Sequence, residues 1–279
     1  MRDPLQPQSS PTERPPIRIA LGLSYRGTHY AGWQSQPDQP TLQNALDGAL
    51  SQFVNTKITT LCAGRTDAGV HGLMQVVHFD TYADRAENSW VRGLNALLPK
   101  DMAVSWARVV PARFHARNSA IARRYVYTLL CSPVRPGLER GHVGWVFKPL
   151  DLAAMQQAAT HWLGTHDFSS FRASECQALS PVKTLKRLDI SSRGAYWRFE
   201  FEADAFLHHM IRNLMGTLLA IGQGNRPPEW AQTVLAARSR EVAAPTFSPD
   251  GLYFAGPIYG PEWANLNLPT QTPAYDWLP

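Results

Sequence analysis

The segment from residue 64 to residue 72, GRTDAGVHG, holds the densest group of reactive side chains in the sequence. It sets Arg65, Asp67 and His71 among three glycines within nine residues. Glycine and aspartate are common in turns, so an ordinary connecting loop is one interpretation. Reactive side chains also concentrate on loops that a rigid scaffold holds. A carboxylate in such a loop can act as a general base, a metal ligand or a nucleophile.

A metal centre and a carboxylate pair are two kinds of chemistry that such a loop could support. Asp67 and His71 could provide two metal ligands, but no other histidine, aspartate or glutamate cluster has a recognisable ligand spacing. His208 and His209 are adjacent, and adjacent side chains on a helix are expected to point apart. A paired acid–base mechanism would need a second carboxylate near Asp67, and the local sequence has none. The pattern favours no metal and a single ionised carboxylate, acting as nucleophile or base beside arginines.

Hydrophobic periodicity predicts two halves with the same order of elements around this loop. In the first half it predicts strands at residues 17–25, 58–63, 73–79 and 102–110, with helices at 42–53 and 89–98. In the second half it predicts strands at 124–130, 184–191, 195–202 and 252–258, with helices at 152–163, 207–221 and 228–237. Short connections favour antiparallel pairing and an α+β fold. Two similar β-α-β-β-α halves with largely antiparallel sheets would then meet at a central catalytic cleft.

These elements divide the chain into four predicted parts. Residues 1–16 contain five prolines and are expected to form a disordered tail. Residues 17–115 are expected to form an N-terminal α+β half that carries the catalytic loop. Residues 116–260 are expected to form the C-terminal α+β half, followed by a Pro-rich tail at residues 261–279.

Composition places the chain among ordinary globular proteins. Of its 279 residues 44% are hydrophobic and 18% are charged, which excludes wholesale disorder. Three widely spaced cysteines argue against a disulfide framework and favour a reducing, cytoplasmic location. We expect no membrane span and no signal peptide, because the apolar runs are too short. The net charge is +5, and six arginines without an acid lie between Met102 and Leu138, which favours a polyanionic partner.

The segment GRTDAGVHG resembles the signature of the tRNA pseudouridine synthase A family, and other motifs of that family follow in order. They are YRGTHYAGWQ from residue 25, FHAR from residue 114 with ARRYVY from residue 122, DFSSFR from residue 167, AFLHHMIRN from residue 205 and GLY from residue 251. Together the resemblance covers residues 17–258. The sequence departs from the family at Arg26, where aspartate is common, and at Gly72, where alanine is common.

The resemblance implies an enzyme that flips a uridine out of tRNA and isomerises it to pseudouridine without a cofactor. It implies that Asp67 is the nucleophile, attacking the pyrimidine C6 or the ribose C1′, and that Arg212 pairs with it. Tyr125 would stack on the target base, and Leu252 would pack under the ring, although core packing explains Leu252 nearly as well. Arg65 would help to flip or replace the base, or contact phosphate.

The resemblance also implies partners. Four arginines of the basic segment would contact the RNA backbone: Arg113, Arg117, Arg123 and Arg124. The family acts as a homodimer on the anticodon stem-loop of tRNA, and its targets are positions 38, 39 and 40. Two other functions stay open, namely a metal-assisted RNA hydrolase that uses Asp67 and His71, and a tRNA-binding module without catalytic activity.

Overall fold

The computed structural model describes residues 15–269, so residues 1–14 and 270–279 of the predicted tails lie outside it. Its β-strands are β1 Ile17–Tyr25, β2 Leu61–Cys62, β3 His71–Thr81, β4 Met102–Val110, β5 Ala120–Cys131, β6 Gly144–Val146, β7 Gly164–Asp167, β8 Val182–Arg193, β9 Tyr196–Ala203 and β10 Leu252–Tyr259. Its α-helices are α1 Leu42–Val54, α2 Glu87–Leu97, α3 Leu152–Thr160, α4 Met210–Gly222 and α5 Trp230–Ala237.

Side-chain caps fix the beginning of two helices. The Thr41 hydroxyl accepts a hydrogen bond from the backbone N–H of Asn44, and α1 begins at the next residue. The Asp151 carboxylate accepts a hydrogen bond from the backbone N–H of Ala154 and caps α3. Each cap satisfies one of the backbone donors that the first turn of a helix leaves unpaired.

The described strands form one continuous sheet in the order β4-β1-β3-β10-β5-β9-β8-β7, with β2 beside β3 and β6 beside β5. Most neighbours are antiparallel, and β10 lies at the centre. It pairs with β5 along its length and in parallel with β3 at two positions, Tyr253 with His71 and Phe254 with Gly72. The last strand of the chain therefore joins the two halves of the sheet.

Both halves use the same strand order. The N-terminal half runs fourth, first, third, second as β4-β1-β3-β2, and the C-terminal half repeats that order as β10-β5-β9-β8. The prediction of an α+β fold with two similar, largely antiparallel halves is confirmed. The buried residues form two clusters, and the C-terminal one also includes residues of β1, β3 and β4. In the N-terminal core α1 and α2 pack on β1 and β3, and in the C-terminal core α3, α4 and α5 pack on β5, β8 and β9.

The structure departs from the sequence-based expectation at β2, α4, β6 and β7. β2 is two residues long because the backbone before it is hydrogen-bonded to α1 instead of to a strand. Thr60 donates to the Asp47 carboxylate from both its N–H and its hydroxyl, and Ile58 N–H donates to the Ser51 hydroxyl. α4 begins at Met210, after a residue in left-handed backbone conformation. The short strands β6 and β7 were not predicted.

The chain continues beyond the sheet into a short 3-10 helix, Pro261–Leu266. Trp263 of this helix is buried and packs edge-on against Phe114, with ring centroids 5.3 Å apart. The beginning of the predicted Pro-rich tail is thus packed on the fold. No helix within residues 15–269 is long and apolar enough to cross a membrane.

Candidate active site

Residues 63–70 connect β2 to β3 and form the loop that carries Asp67. The N–H of Val70 donates to the carbonyl of Asp67 at 3.1 Å, which closes a tight turn. Gly69 in this turn has a φ of 80°, a conformation that residues with a side chain rarely adopt. A Cβ at Gly69 would also lie 2.9 Å from the ring of Pro249. The glycine therefore lets the turn approach the C-terminal half closely.

Contacts within the N-terminal half hold the backbone of this loop. The hydroxyls of Tyr25 and Thr66 are hydrogen-bonded at 2.9 Å, and the N–H of Trp33 donates to the carbonyl of Thr66 at 2.9 Å. The side-chain amide of Gln75 donates to the carbonyl of Gly64 at 2.6 Å. The motif that begins at residue 25 is therefore a support for the catalytic loop.

Arg123 of β5 holds the beginning of the loop from the other half. Its Nε and Nη2 both reach the carbonyl of Ala63 at 3.4 Å. Its Nη1 donates to the carbonyls of Ala120 at 3.1 Å and Asp204 at 2.9 Å, and Nη2 also donates to the carbonyl of Arg117. A guanidinium group has five N–H donors, and these contacts engage all five.

Arg212, in the first turn of α4, faces Asp67 across the cleft. Its Nη1 lies 3.4 Å from Asp67 Oδ2, and its Nε donates to the carbonyl of Phe247 at 2.9 Å. The two side chains are only 15% and 20% exposed, so water screens their attraction in part. The structure thus brings the predicted nucleophile together with the arginine predicted to pair with it.

His208 and His209 also face Asp67, which corrects the expectation that they point apart on a helix. His208 Nε2 lies 3.4 Å from Asp67 Oδ1, and His209 Nε2 lies 3.5 Å from Oδ2. The two residues precede α4, and His209 has a φ of 60°, which turns both rings to the same side with centroids 4.0 Å apart. Burial lowers the pKa of His209. Unfavourable backbone conformations of this kind are concentrated at functional sites.

Tyr125 lies on β5 beside the loop and is 8% exposed. Its ring packs edge-on against Phe206 at 5.1 Å and tilted against Phe254 at 5.0 Å between centroids. Burial raises the pKa of the Tyr125 hydroxyl, and the negative charge of Asp67 adds to that shift. The phenol is therefore neutral at physiological pH, and Tyr125 offers an aromatic surface next to the carboxylate.

Sequence reasoning missed the two phenylalanines that support Tyr125. On β10, Phe254 pairs with Tyr125 of β5 in the antiparallel ladder. Leu252, also on β10, is buried and pairs instead with Tyr127 of β5. The alternation of β10 places Leu252 and Phe254 on one face but does not set the register that decides which of them meets Tyr125. Phe206 stands within the motif AFLHHMIRN, and that motif was the signal available for it.

The remaining predicted arginines are distributed differently. Arg65 is exposed, two residues before Asp67. Arg113 and Arg117 are exposed on the segment before β5, and the Arg113 guanidinium lies over the ring of Trp263 at 5.1 Å. Arg124 is half-buried on β5. Exposed arginines in this segment are placed where a phosphate backbone could reach them.

His71, the second ligand in the metal-hydrolase alternative, is fully used within the protein. Its Nδ1 accepts from the N–H of Gly27 at 3.1 Å, and its Nε2 lies 3.0 Å from the carbonyl of Asp250. These partners assign the proton to Nε2. Burial, the largest cause, lowers the pKa of His71 to about 4, so the ring is neutral at pH 7. Both nitrogens are occupied, and neither points to Asp67 as a metal ligand.

Known proteins resemble this chain along nearly its whole length. The family model described as tRNA pseudouridine synthase matches residues 23–118 and 158–260. The tRNA pseudouridine synthase A of Albidiferax ferrireducens is 66% identical over 263 residues, and the match covers 94% of this chain and 100% of that protein. The chain belongs to the tRNA pseudouridine synthase family. Membership makes it a pseudouridine-forming isomerase.

Other members of the tRNA pseudouridine synthase family match equally far. The proteins named tRNA pseudouridine synthase A from Acidovorax sp. strain JS42 and Polaromonas naphthalenivorans are 62% identical over 277 residues and 64% identical over 267 residues. Each match covers 94% of this chain and 100% of the other protein. A solved Cbf5–Nop10–Gar1 complex aligns with 72% of this chain and 54% of that chain at a TM-score of 0.31 and 10% identity, which is too low to support an argument.

Proposed function

We propose that this enzyme converts uridine to pseudouridine at positions 38, 39 and 40 in the anticodon arm of tRNA, with Asp67 as the nucleophile. The observation that carries the proposal is the carboxylate of Asp67, held 3.4 Å from Arg212 Nη1 in a partly buried cleft. Tyr125 lies beside it as an aromatic surface. The anticodon arm and the three positions come from the family resemblance.

The reaction exchanges one bond to the ribose for another. Asp67 attacks C6 of the pyrimidine or C1′ of the ribose, and the bond between C1′ and N1 breaks. The base rotates, C1′ bonds to C5, the bond between Asp67 and the substrate breaks, the proton on C5 leaves and N1 gains a proton. The sum is an isomerisation without a redox step, so positioning and charge supply the catalysis and no cofactor is required.

The site requires a base that has left the RNA stack. A pyrimidine inside a stacked stem cannot reach a carboxylate at the bottom of a cleft, so the target nucleotide is flipped out. Tyr125 then stacks on the base, and the exposed Arg65 replaces it in the RNA or holds its phosphate. The Arg212 guanidinium keeps the Asp67 carboxylate in place for attack.

The basic segment before and within β5 supplies the RNA contacts in this proposal. The exposed Arg113 and Arg117, together with Arg124, contact phosphates and fix the position of the stem without reading its sequence. Two copies of the chain form the homodimer that holds one anticodon arm. Binding weakens steeply as the salt concentration rises, since each phosphate contact releases counterions.

The test follows the proton that leaves C5. An unmodified tRNA transcript tritiated at uridine C5 is incubated with the protein, with Asp67→Asn, and with Asp84→Asn as an exposed-carboxylate control. Chelator is present throughout. We expect tritium release from the wild type and the control, and a loss of at least about 10³-fold with Asp67→Asn. Transcripts with cytidine at position 38, 39 or 40 show which positions release tritium.

The same reactions separate the alternatives. Shortened RNA that disappears on chelation would identify a metal-assisted hydrolase. Tight, salt-sensitive binding without tritium release from any transcript would identify a binding module. Tritium release that is unchanged in Asp67→Asn would contradict the role of Asp67 as nucleophile, but the protein would still be an isomerase.

A further inference from the structure

Three side chains able to bind a metal ion converge at one point of the cleft. Within residues 15–269, Asp67, His208 and His209 each offer a ligand atom, and these atoms lie within 4.8 Å of one another. The left-handed conformation of His209 brings the two imidazoles together. Two imidazoles and one carboxylate are a ligand set that Zn²⁺ and related transition ions favour.

The distances in this cluster fit a shared ion better than direct hydrogen bonds. Each imidazole nitrogen lies 3.4 or 3.5 Å from a carboxylate oxygen, which is longer than an N–H···O hydrogen bond of about 2.7–3.2 Å. Ligands about 2.0–2.2 Å from a tetrahedral zinc ion are about 3.3–3.6 Å apart, because the tetrahedral angle fixes their separation. Each of the two imidazole–carboxylate distances has this value, but His208 approaches Oδ1 and His209 approaches Oδ2, so a small rotation of the carboxylate presents one oxygen to a shared ion. No two of the three ligand atoms are more than 4.8 Å apart. Bringing the most distant pair to the tetrahedral separation requires the rings to move closer by about 1 Å.

We propose that Asp67, His208 and His209 bind a transition-metal ion such as Zn²⁺, and that this ion inhibits the enzyme by occupying its carboxylate. The inhibition part rests on the proposed role of Asp67, whereas the binding part rests on the geometry alone. An ion on the carboxylate withdraws the electron pair that would attack the substrate.

The selectivity of the site follows from its ligands and from Arg212. Mg²⁺ prefers six oxygen ligands and keeps its water, so a site with two imidazoles and one carboxylate discriminates against it. This difference matters because folded tRNA is itself handled in Mg²⁺. The Arg212 guanidinium, 3.4 Å from Asp67 Oδ2, repels any cation and keeps the affinity moderate, so a chelator removes the ion readily.

The binding test uses the full chain and two independent readouts. Zn²⁺ binding is measured by titration calorimetry, and Co²⁺ is added as a spectroscopic probe whose visible absorption reports tetrahedral coordination. The variants are His208→Gln and His209→Asn, the second chosen because asparagine tolerates the left-handed conformation. His166→Ala, in β7, is the matched control. Circular dichroism verifies that every variant is folded.

The expected result is one Zn²⁺ per chain, with an apparent affinity that falls at least about tenfold in each site variant and within about twofold of wild type in His166→Ala. Excess Mg²⁺ does not displace the ion. Absence of binding, or binding that persists unchanged in both site variants, would overturn the proposal. Where a variant is not folded, the Co²⁺ spectrum of the wild type decides, since a spectrum without tetrahedral bands also overturns it.

The inhibition test is tritium release from tRNA with and without Zn²⁺. Release should stop as the site fills and return when chelator is added, with the His209→Asn variant needing at least about tenfold more Zn²⁺. Zinc that binds while release continues would overturn the inhibitory role. A wild type that releases no tritium even in chelator would instead refute the proposed function, and the binding result would stand by itself.

Discussion

The connection between the second and third strands is made in opposite ways in the two halves. In the C-terminal half β8 and β9 are joined by the two residues Gly194 and Ala195, and Arg193 still pairs with Tyr196. In the N-terminal half β2 ends after two residues, and the loop 63–70 follows before β3 begins. The connection between the second and third strands is therefore a closed hairpin in the C-terminal half and the loop that carries Asp67 in the N-terminal half.

This difference shows where the site comes from. Because β2 covers only residues 77 and 78 of β3, the edge of β3 at His71 and Gly72 is open to another strand. β10 occupies that edge and brings the C-terminal half against the loop. The N-terminal half then supplies the carboxylate, and the C-terminal half supplies the arginine, the histidines and the aromatic surface. Neither half contains a complete site.

Contacts from both halves hold the loop. Removing one contact at a time tests whether the contacts with the C-terminal half matter more than those within the N-terminal half. Contacts with the C-terminal half close the site. Their loss should therefore reduce activity or stability more than the loss of a contact within the N-terminal half.

Arg212→Gln should have the largest effect after loss of the nucleophile itself. It removes the positive charge 3.4 Å from Asp67 and the contact with Phe247, so we expect kcat to fall by about 10²–10³. Arg238→Gln breaks an exposed ion pair with Asp167 and is the control. Single-turnover tritium release gives the rates. A rise in KM alone, with kcat unchanged, would assign Arg212 to binding.

Arg123→Lys should destabilise the protein by about 2–4 kcal/mol, because several buried carbonyls lose their donors. Urea denaturation measures the change. The control is Arg113→Ala, which should leave stability within about 0.5 kcal/mol and lower the salt dependence of tRNA binding by about one unit in slope. If Arg123→Lys instead lowers that slope and leaves the stability unchanged, Arg123 is a phosphate contact, as predicted from the sequence.

His71→Gln should weaken the pH dependence of stability. The pKa of His71 is lowered to about 4 in the folded protein and is near 6.5 when unfolded, so its neutral form stabilises the fold above pH 6.5. That stability is lost as the pH falls from 6.5 toward 4. Between pH 7 and pH 5 the wild type should lose about 2 kcal/mol more than the variant. Denaturation curves at the two pH values provide the measurement, and equal losses would contradict the assignment.

Tyr25→Phe should have the smallest effect, since it breaks a tie within the N-terminal half. Loss of the hydrogen bond to Thr66 should cost about 1 kcal/mol of stability and reduce activity several-fold. Tyr30→Phe removes a similar side-chain hydrogen bond, to Asp101 outside the loop, and keeps the backbone contact of Tyr30 with Gly69. It should lower stability but leave activity unchanged. Equal activity losses in the two variants would show that the hydrogen bond between Tyr25 and Thr66 has no special role in activity.

The sequence predicted the elements better than it predicted how they meet. Local periodicity placed β1, α1, α3 and β4 within a few residues, because this pattern depends on neighbours in the chain. The position of β10 between β3 and β5 depends on the pairing of residues far apart in the chain, such as Tyr253 with His71. No local sequence pattern indicates such a pairing.

The candidate site shows the same division. Motifs marked Asp67, Tyr125 and Arg212, and the structure places the three around one cleft. The approach of His208 and His209 to Asp67 was missed because it depends on one left-handed backbone angle, which the sequence does not indicate for a histidine. The inward direction of Arg123 was missed because its carbonyl partners come from four separate backbone positions.

The central position of β10 has a consequence for the order of events during synthesis. The loop with Asp67 is synthesised long before Phe254, the residue that supports Tyr125. A growing chain can fold its N-terminal core but cannot close the cleft. Contacts between distant parts of a chain also form slowly. A chain that stops before β10 therefore has the carboxylate of Asp67 without the aromatic support of the site.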